Sequence, residues 1–159
     1  MRITIAAVGR LKAGPERELF ERYLDRANDA GRKLALSFDL RETPESRAGS
    51  AVARKDQEAA ALLGLIPAEA VQIALDEKGV SLDSPAFAAR LAAWRDGGKE
   101  RIAFIIGGAD GLADSLLAKA SMKLAFGRQT WPHQLVRLML AEQLYRAVTI
   151  LSGHPYHRE

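Results

Sequence analysis

The sequence contains no cysteine, which excludes disulfide scaffolds, cysteine-ligated zinc or iron–sulfur sites and thiol nucleophiles. It also lacks a long apolar run, because charged residues interrupt each apolar stretch well before the roughly 20 residues that a membrane-spanning helix needs. The first apolar run is short, and Gly9, Arg10 and Lys12 follow it where a signal peptide would continue its apolar core. We therefore expect a cytoplasmic protein without a membrane partner.

Length and composition indicate one globular domain. The chain has 159 residues, of which 48% are apolar and 27% charged, so it can bury a single core. Its net charge is only +3, far from the basic stripe of a dedicated nucleic-acid binder. The segment 121–159 has five Lys or Arg, two acidic residues and all three histidines. We expect the chemistry of the protein to lie near this end.

Apolar, β-rich runs alternate along the chain with segments of helical spacing. The predicted strands cover residues 3–8, 34–40, 71–75, 101–106 and 122–126. Five helices are predicted. The first starts at 15, the second covers 51–63 and ends at Gly64, and the third covers 84–94 with Ser84 as N-cap. The fourth starts near 112, and the fifth covers 132–151. A polar loop is predicted at 41–50. This alternation predicts a mainly parallel α/β sheet.

Three predicted strand ends carry residues suited to a ligand site, at 75–79, 107–111 and 127–131. Ligands of open parallel sheets bind at the carboxyl ends of the strands, so we expect these segments to form one pocket. The glycines at 107–111 match neither G-x-G-x-x-G nor G-x-x-x-x-G-K-[ST]. We predict that Gly108 leaves room for the backbone to approach a non-phosphate ligand such as an adenosyl group. The alternative is a turn that only joins a strand to a helix.

The predicted last helix has apolar residues on more than one face. A helix at the edge of a small domain needs one apolar stripe, so the excess predicts a homodimer. The alternative is a central helix buried within one subunit. The apolar positions are Leu135, Leu138, Met139, Leu140, Leu144, Val148, Ile150 and Leu151.

The final six residues combine two histidines, a tyrosine and an arginine. His154 and His157 have a spacing that suits two ligands of one metal, but no carboxylate cluster accompanies them, so we predict no metal site. Tyr156 could instead stack on a base, Arg158 could contact phosphate, and a histidine could move a proton near neutral pH. The alternative is an ordinary C-terminus docked on the surface.

Several of these motifs together resemble the RlmH-type ribosomal large-subunit methyltransferases of the SPOUT superfamily, along essentially the whole chain. The matching segments are Leu75-Asp76-x-x-Gly79, Ile105-Ile106-Gly107-Gly108-x-Asp110-Gly111, Pro132-His133-Gln134-Leu135-x-Arg137, Glu142-Gln143-Leu144-Tyr145-Arg146-Ala147 and His154-Pro155-Tyr156-His157-Arg158-Glu159.

The resemblance implies a single domain with a SPOUT-type α/β trefoil knot, whose cofactor-binding part covers about 70–159. It further implies S-adenosylmethionine as methyl donor, a homodimer, and N3-methylation of a pseudouridine in helix 69 of bacterial 23S rRNA within the ribosome. The cofactor positions that it implies are Leu75, Gly107, Gly108, Phe126, Gly127, Arg128, Gln129, Thr130 and Trp131.

Transfer of a methyl group to an imide nitrogen requires loss of its proton, so a base is useful. The candidates are His154, Tyr156 and His157, with Arg137 or Arg158 holding phosphate or stabilising the developing anion. The alternative function is a non-catalytic nucleotide- or RNA-binding module.

Overall fold

The computed structural model describes residues 1–157 of the chain. Strands and helices alternate, as the periodicity predicts. The strands are β1 (Arg2–Val8), β2 (Ser37–Thr43), β3 (Val71–Ser81), β4 (Arg101–Ile106) and β5 (Met122–Ala125). The helices are α1 (Pro15–Gly31), α2 (Ala51–Leu65), α3 (Ser84–Asp96), α4 (Asp114–Lys119) and α5 (His133–Leu151). The predicted α/β class is confirmed.

The five strands form one sheet in the order β2-β1-β4-β3-β5, and all paired strands run parallel. The central strands β1 and β4 are almost entirely buried, which explains their continuous apolar runs in place of alternation. Because every strand points the same way, the loops that follow β4 and β5 lie along one edge of the sheet, beside the part of β3 that follows Leu75. This edge carries the candidate site.

Helices cover both faces of the sheet. On one face, α5 packs between α1 and α3, and its Leu140, Ala141 and Leu144 are fully buried in the larger core. On the other face, α2 and α4 cover a smaller core that includes Leu62 and Leu116. Much of the apolar excess of α5 is therefore buried within one chain, whereas Leu135, Leu138 and Met139 are only half-buried. The homodimer stays a prediction.

Two strands, β2 and β3, differ from their predicted bounds by three residues or more. The chain first forms a 3₁₀ turn at Arg32–Leu34 and a left-handed residue at Ala35 (φ 54°), so β2 starts three residues later than predicted. Strand β2 then continues to Thr43, into the loop predicted at 41–50. Strand β3 continues past Leu75 through an irregular segment and pairs with β5 again at Val80. Gly79 permits this second approach, because a Cβ there would lie 2.6 Å from the backbone of Lys123.

Several helix boundaries differ as well. Helix α2 passes through Gly64 to Leu65, and α4 begins at Asp114, two residues after the predicted start. The N-cap of α3 is Asp83 and not Ser84, because Oδ1 of Asp83 accepts the backbone N–H of Ala86 at 2.7 Å. Within residues 1–157, no helix combines the length and the apolar character needed to cross a membrane.

Candidate active site

A cleft of about 1310 Å³ opens at the carboxyl edge of the sheet. Its walls come from residues 75–78 within β3, from the glycine loop at 107–111, and from the stretch 123–136 that ends in the first turn of α5. The three predicted segments therefore line one cleft, although 75–79 lies within β3 and not at its end. The cleft is lined by most of the predicted cofactor positions, namely Leu75, Gly107, Gly108, Phe126, Gly127, Gln129, Thr130 and Trp131.

The glycine loop folds back on itself. The backbone N–H of Gly111 donates to the carbonyl of Gly108 at 3.0 Å, and Gly111 has a φ of 81°. A Cβ at Gly107 would lie 2.7 Å from the carbonyl carbon of Gly111, so this position admits no side chain. The tight conformation of the loop is therefore set by contacts within the loop itself, between Gly107 or Gly108 and Gly111.

Gly108 lies close to two side chains of the protein itself. A Cβ there would meet Cγ1 of Val8 at 3.0 Å and Oε2 of Glu58 at 3.1 Å. The missing side chain therefore leaves room for two side chains of the protein itself, one on β1 and one on α2. Gly108 also lines the cleft, and its role as a cofactor position stays a prediction.

The loop between β5 and α5 forms the opposite wall. Gly127 has a φ of 91°, and the indole N–H of Trp131 donates to the carbonyl of Phe126 at 3.0 Å. The hydroxyl of Thr130 donates to Oε2 of Glu77 at 2.8 Å, which joins this wall to the irregular part of β3. Trp131 remains 40% exposed and presents an aromatic surface at the cleft. Arg128 is exposed and is not among the lining residues.

The cleft contains a histidine that the sequence-based site prediction missed. His133 lies in the first turn of α5, next to Pro132, and Nε2 of its ring is 3.9 Å from Oε1 of Glu45. Burial, and secondarily the charge of Arg137, hold the pKa of His133 below its usual range. The position of His133 directly after the predicted ligand segment 127–131 was the signal in the sequence that could have indicated it. The other lining ionisable groups are Lys55, Asp76, Glu77, Lys78, Asp110, Asp114 and Lys123.

Arg137 lies in the interior, not at a surface that phosphate can reach. Its side chain has no exposed area, and its guanidinium donates to Oε1 of Glu42 at 2.7 Å and to the carbonyl of Val8. Burial lowers the pKa of Arg137, and Glu42 opposes that shift. In this chain Arg137 ties α5 to the ends of β1 and β2, which corrects the expectation that it holds phosphate.

Tyr156 packs on α5. Its ring centroid is 4.6 Å from that of Tyr145, the guanidinium carbon of Arg146 lies 4.9 Å from the ring centroid, and its hydroxyl donates to Oε1 of Glu142 at 3.2 Å. Burial first, then a hydrogen bond with Tyr23 and the charge of Glu142, raise the pKa of Tyr156. The ring is therefore held against its own chain.

The two tail histidines occupy different environments. Nδ1 of the exposed His154 accepts the backbone N–H of Tyr156 at 3.2 Å, whereas Nδ1 of His157 is buried without a partner in the described structure. Arg158 lies outside the described residues. His154, Tyr156 and His157 are all absent from the lining of the cleft of the same chain. Among residues 1–157, no group of three or more His, Asp or Glu side chains is placed to hold a metal ion.

Comparison with known proteins agrees with this architecture. Residues 1–157 match the family described as predicted SPOUT methyltransferase. The chain is 60% identical to the ribosomal RNA large subunit methyltransferase H of Xanthobacter autotrophicus over 159 residues, and 56% identical to the protein of that name from Bradyrhizobium diazoefficiens. Each alignment covers 99% of this chain and 99% of the relative.

A solved structure has the same fold at low sequence identity. It is a probable methylase family protein from Haemophilus influenzae, with a TM-score of 0.50 and 13% identity, and the match covers 99% of this chain and 70% of the other. That likeness concerns the fold alone. Since the family match covers residues 1–157 and the relatives match over nearly their full length, the chain belongs to the SPOUT methyltransferase family.

Proposed function

We propose that this protein is an S-adenosylmethionine-dependent methyltransferase of large-subunit ribosomal RNA, and that its target is N3 of a pseudouridine in helix 69 of 23S rRNA. The observation that carries the proposal is the cleft at the carboxyl edge of the sheet, in a chain whose relatives are named large-subunit methyltransferases. The trefoil knot implied by the family resemblance remains a prediction.

The residues that line the cleft suit the chemical groups of S-adenosylmethionine. Trp131 and Phe126 offer aromatic surface for the adenine, and the tight loop at 107–111 offers backbone groups close to the ligand. Both acidic and basic side chains line the cleft, which suits a molecule with cationic and anionic groups. When bound, the cofactor supplies an electrophilic methyl group. Leu75, Gly107, Gly108 and the segment 126–131 would hold it.

The transfer also needs a group that accepts the proton of the imide nitrogen. His154, Tyr156 and His157 are the tail candidates, and Arg158 would contact phosphate or the developing anion. Because none of the first three lines the cleft of its own chain, we propose that a second copy brings its tail to the site. Such an arrangement requires a homodimer, with the half-buried face of α5 as the interface.

Calorimetry with S-adenosylmethionine tests the cofactor assignment. We expect wild-type protein to bind it, and we expect Leu75→Glu to abolish binding because the longer, charged side chain enters a wall of the cleft. The matched control is Leu63→Glu, since Leu63 is 36% exposed on α2 and does not line the cleft. Equal binding by wild type and Leu75→Glu would place the cofactor elsewhere.

Methyl transfer tests the substrate assignment. Purified protein, labelled cofactor and ribosomes from a strain that lacks the modification should yield one methyl group per large subunit, at the N3 position of the helix 69 pseudouridine. Cofactor binding with transfer to another nucleotide would retain the enzyme class and overturn the target. Binding of cofactor or RNA without any transfer would support the alternative of a non-catalytic module.

A further inference from the structure

An ion pair joins helix α2 to the glycine loop. Nε and Nη2 of Arg54 donate to the two carboxylate oxygens of Asp110, at 2.6 and 3.1 Å. A bidentate contact of this kind fixes the orientation of the carboxylate as well as its distance. The two side chains are 31% and 29% exposed, so they are partly shielded from solvent. Asp110 lines the cleft and Arg54 does not.

Helix α2 also contacts the loop one turn further along. Glu58 is buried, and its Oε2 lies 3.1 Å from the position of a Cβ at Gly108. Its other oxygen accepts the backbone N–H of Ser46 at 2.9 Å, and Nη1 of Arg54 donates to the carbonyl of Ala48 at 3.2 Å. The same face of α2 therefore holds both the glycine loop and the polar loop behind it.

We propose that Arg54 is a positioning residue, which acts through Asp110 to keep the glycine loop in its cofactor-binding conformation. The inference rests on the proposed function, since it assigns the cleft to the cofactor. A loop with glycines at 107, 108 and 111 loses much conformational entropy when it is ordered. If an ion pair orders the loop beforehand, the cofactor does not have to do so on binding.

The hydrogen bond from Arg54 also lowers the pKa of Asp110, so this carboxyl stays ionised at neutral pH. Because Asp110 is charged, substitutions can distinguish an electrostatic role of the Arg54–Asp110 pair from a positioning role. Arg54→Gln leaves an unpaired negative charge on the wall of the cleft, whereas Asp110→Asn removes that charge. A purely electrostatic role predicts opposite changes in affinity for a cationic ligand. A positioning role predicts a loss of affinity in both variants.

Calorimetry with S-adenosylmethionine on the full-length protein tests this. We expect each single variant to raise Kd about three- to tenfold, and the double variant to add little further, because both changes break the same contact. Hydrogen exchange without cofactor should be faster at the amides of 107–111 in Arg54→Gln. The matched control is Arg17→Gln, which breaks an exposed 2.7 Å pair with Glu21 on α1 and should leave both readouts unchanged.

Unchanged Kd and unchanged exchange in Arg54→Gln would overturn the positioning role while the cofactor assignment stood. Opposite shifts of Kd in the two single variants would also overturn it. A wild-type protein that does not bind S-adenosylmethionine would overturn the proposed function, and this inference with it.

Discussion

Nη1 of Arg137 donates a hydrogen bond to Oε1 of Glu42 over 2.7 Å, which joins α5 to the end of β2. The guanidinium also donates to the carbonyl of Val8 at the end of β1. His133 and Gln134, one turn earlier on the same helix, line the cleft. The buried contact therefore fixes the first turn of α5, and with it one wall of the cleft, relative to the sheet.

Replacing Arg137 should destabilise the whole fold. Arg137→Met removes a donor from the carbonyl of Val8 and from Glu42, which keeps the backbone N–H of Leu11. Breaking a buried ion pair by removing one member typically costs about 3–5 kcal/mol, and we expect a loss toward the lower end because Glu42 is 22% exposed. Urea denaturation followed by circular dichroism measures this loss. Unchanged stability together with lost methyl transfer would return Arg137 to the role of a substrate-binding residue.

Gly107 and Gly108 should respond differently to alanine. The Cβ of Gly107→Ala would meet the backbone of Gly111 at 2.7 Å, and we expect a loss of about 1–3 kcal/mol because backbone cannot move aside cheaply. The Cβ of Gly108→Ala would meet two side chains, Val8 and Glu58, at 3.0 and 3.1 Å, which can shift by a few tenths of an ångström. Urea denaturation of both variants checks the order, and a larger loss for Gly108→Ala would contradict it.

Gly64→Ala should stabilise the protein. Gly64 lies within α2, and a Cβ there would have nothing within 4 Å. Alanine in such a helical position gains about 0.5–1 kcal/mol over glycine, mainly by restricting the unfolded chain. Thermal denaturation should therefore show a higher Tm. A lower Tm would contradict this prediction.

The elements were more predictable than their ends. Periodicity located all five strands. The signal was clearest for β1 and β4, which are buried runs of apolar residues bounded by loops. It missed the extension of β3 to Ser81, because that extension depends on Gly79 lying against the backbone of β5. Such a contact joins residues more than forty positions apart and leaves no periodic signal.

The site was predictable as a place but not as a set of contacts. The order of strand ends located the cleft, since parallel strands bring the loops that follow them to one edge. Composition could not distinguish a buried arginine from one that binds phosphate, and Arg137 proved to be buried. Nor could it indicate that the space beside Gly108 belongs to Glu58. Both depend on which residues distant in sequence become neighbours.

Tyr156 should titrate later than an ordinary tyrosine. Its pKa is raised above 10 by burial, by the hydrogen bond with Tyr23 and by the charge of Glu142. Because the pKa of the folded state exceeds that of the unfolded state, its contribution to stability is full below about pH 10 and is lost as the pH rises through the raised value. An ultraviolet titration of wild type minus Tyr156→Phe should show this late ionisation, and ionisation near pH 10 would contradict it.

Deletion of the C-terminal residues should distinguish their contribution to stability from their contribution to methyl transfer. Deletion of 156–159 removes the contacts of Tyr156 with Tyr145 and Arg146, and aromatic and cation–π contacts of this kind contribute roughly 0.5–1.5 kcal/mol each. We expect a folded protein with somewhat lower stability. Cofactor binding should persist, because no side chain of 154–157 lines the cleft. Methyl transfer to ribosomes should be lost.

Deletion of 157–159 is the matched control, since it keeps Tyr156 on α5 and removes His157 and Arg158. If this shorter deletion also abolishes transfer at wild-type stability and cofactor affinity, the chemistry lies in the removed groups. If only the longer deletion abolishes transfer, the packed Tyr156 is what the reaction requires. Full transfer by both would exclude the last four residues from the mechanism and leave His154 and the cleft residue His133 as the remaining histidines that could accept the proton.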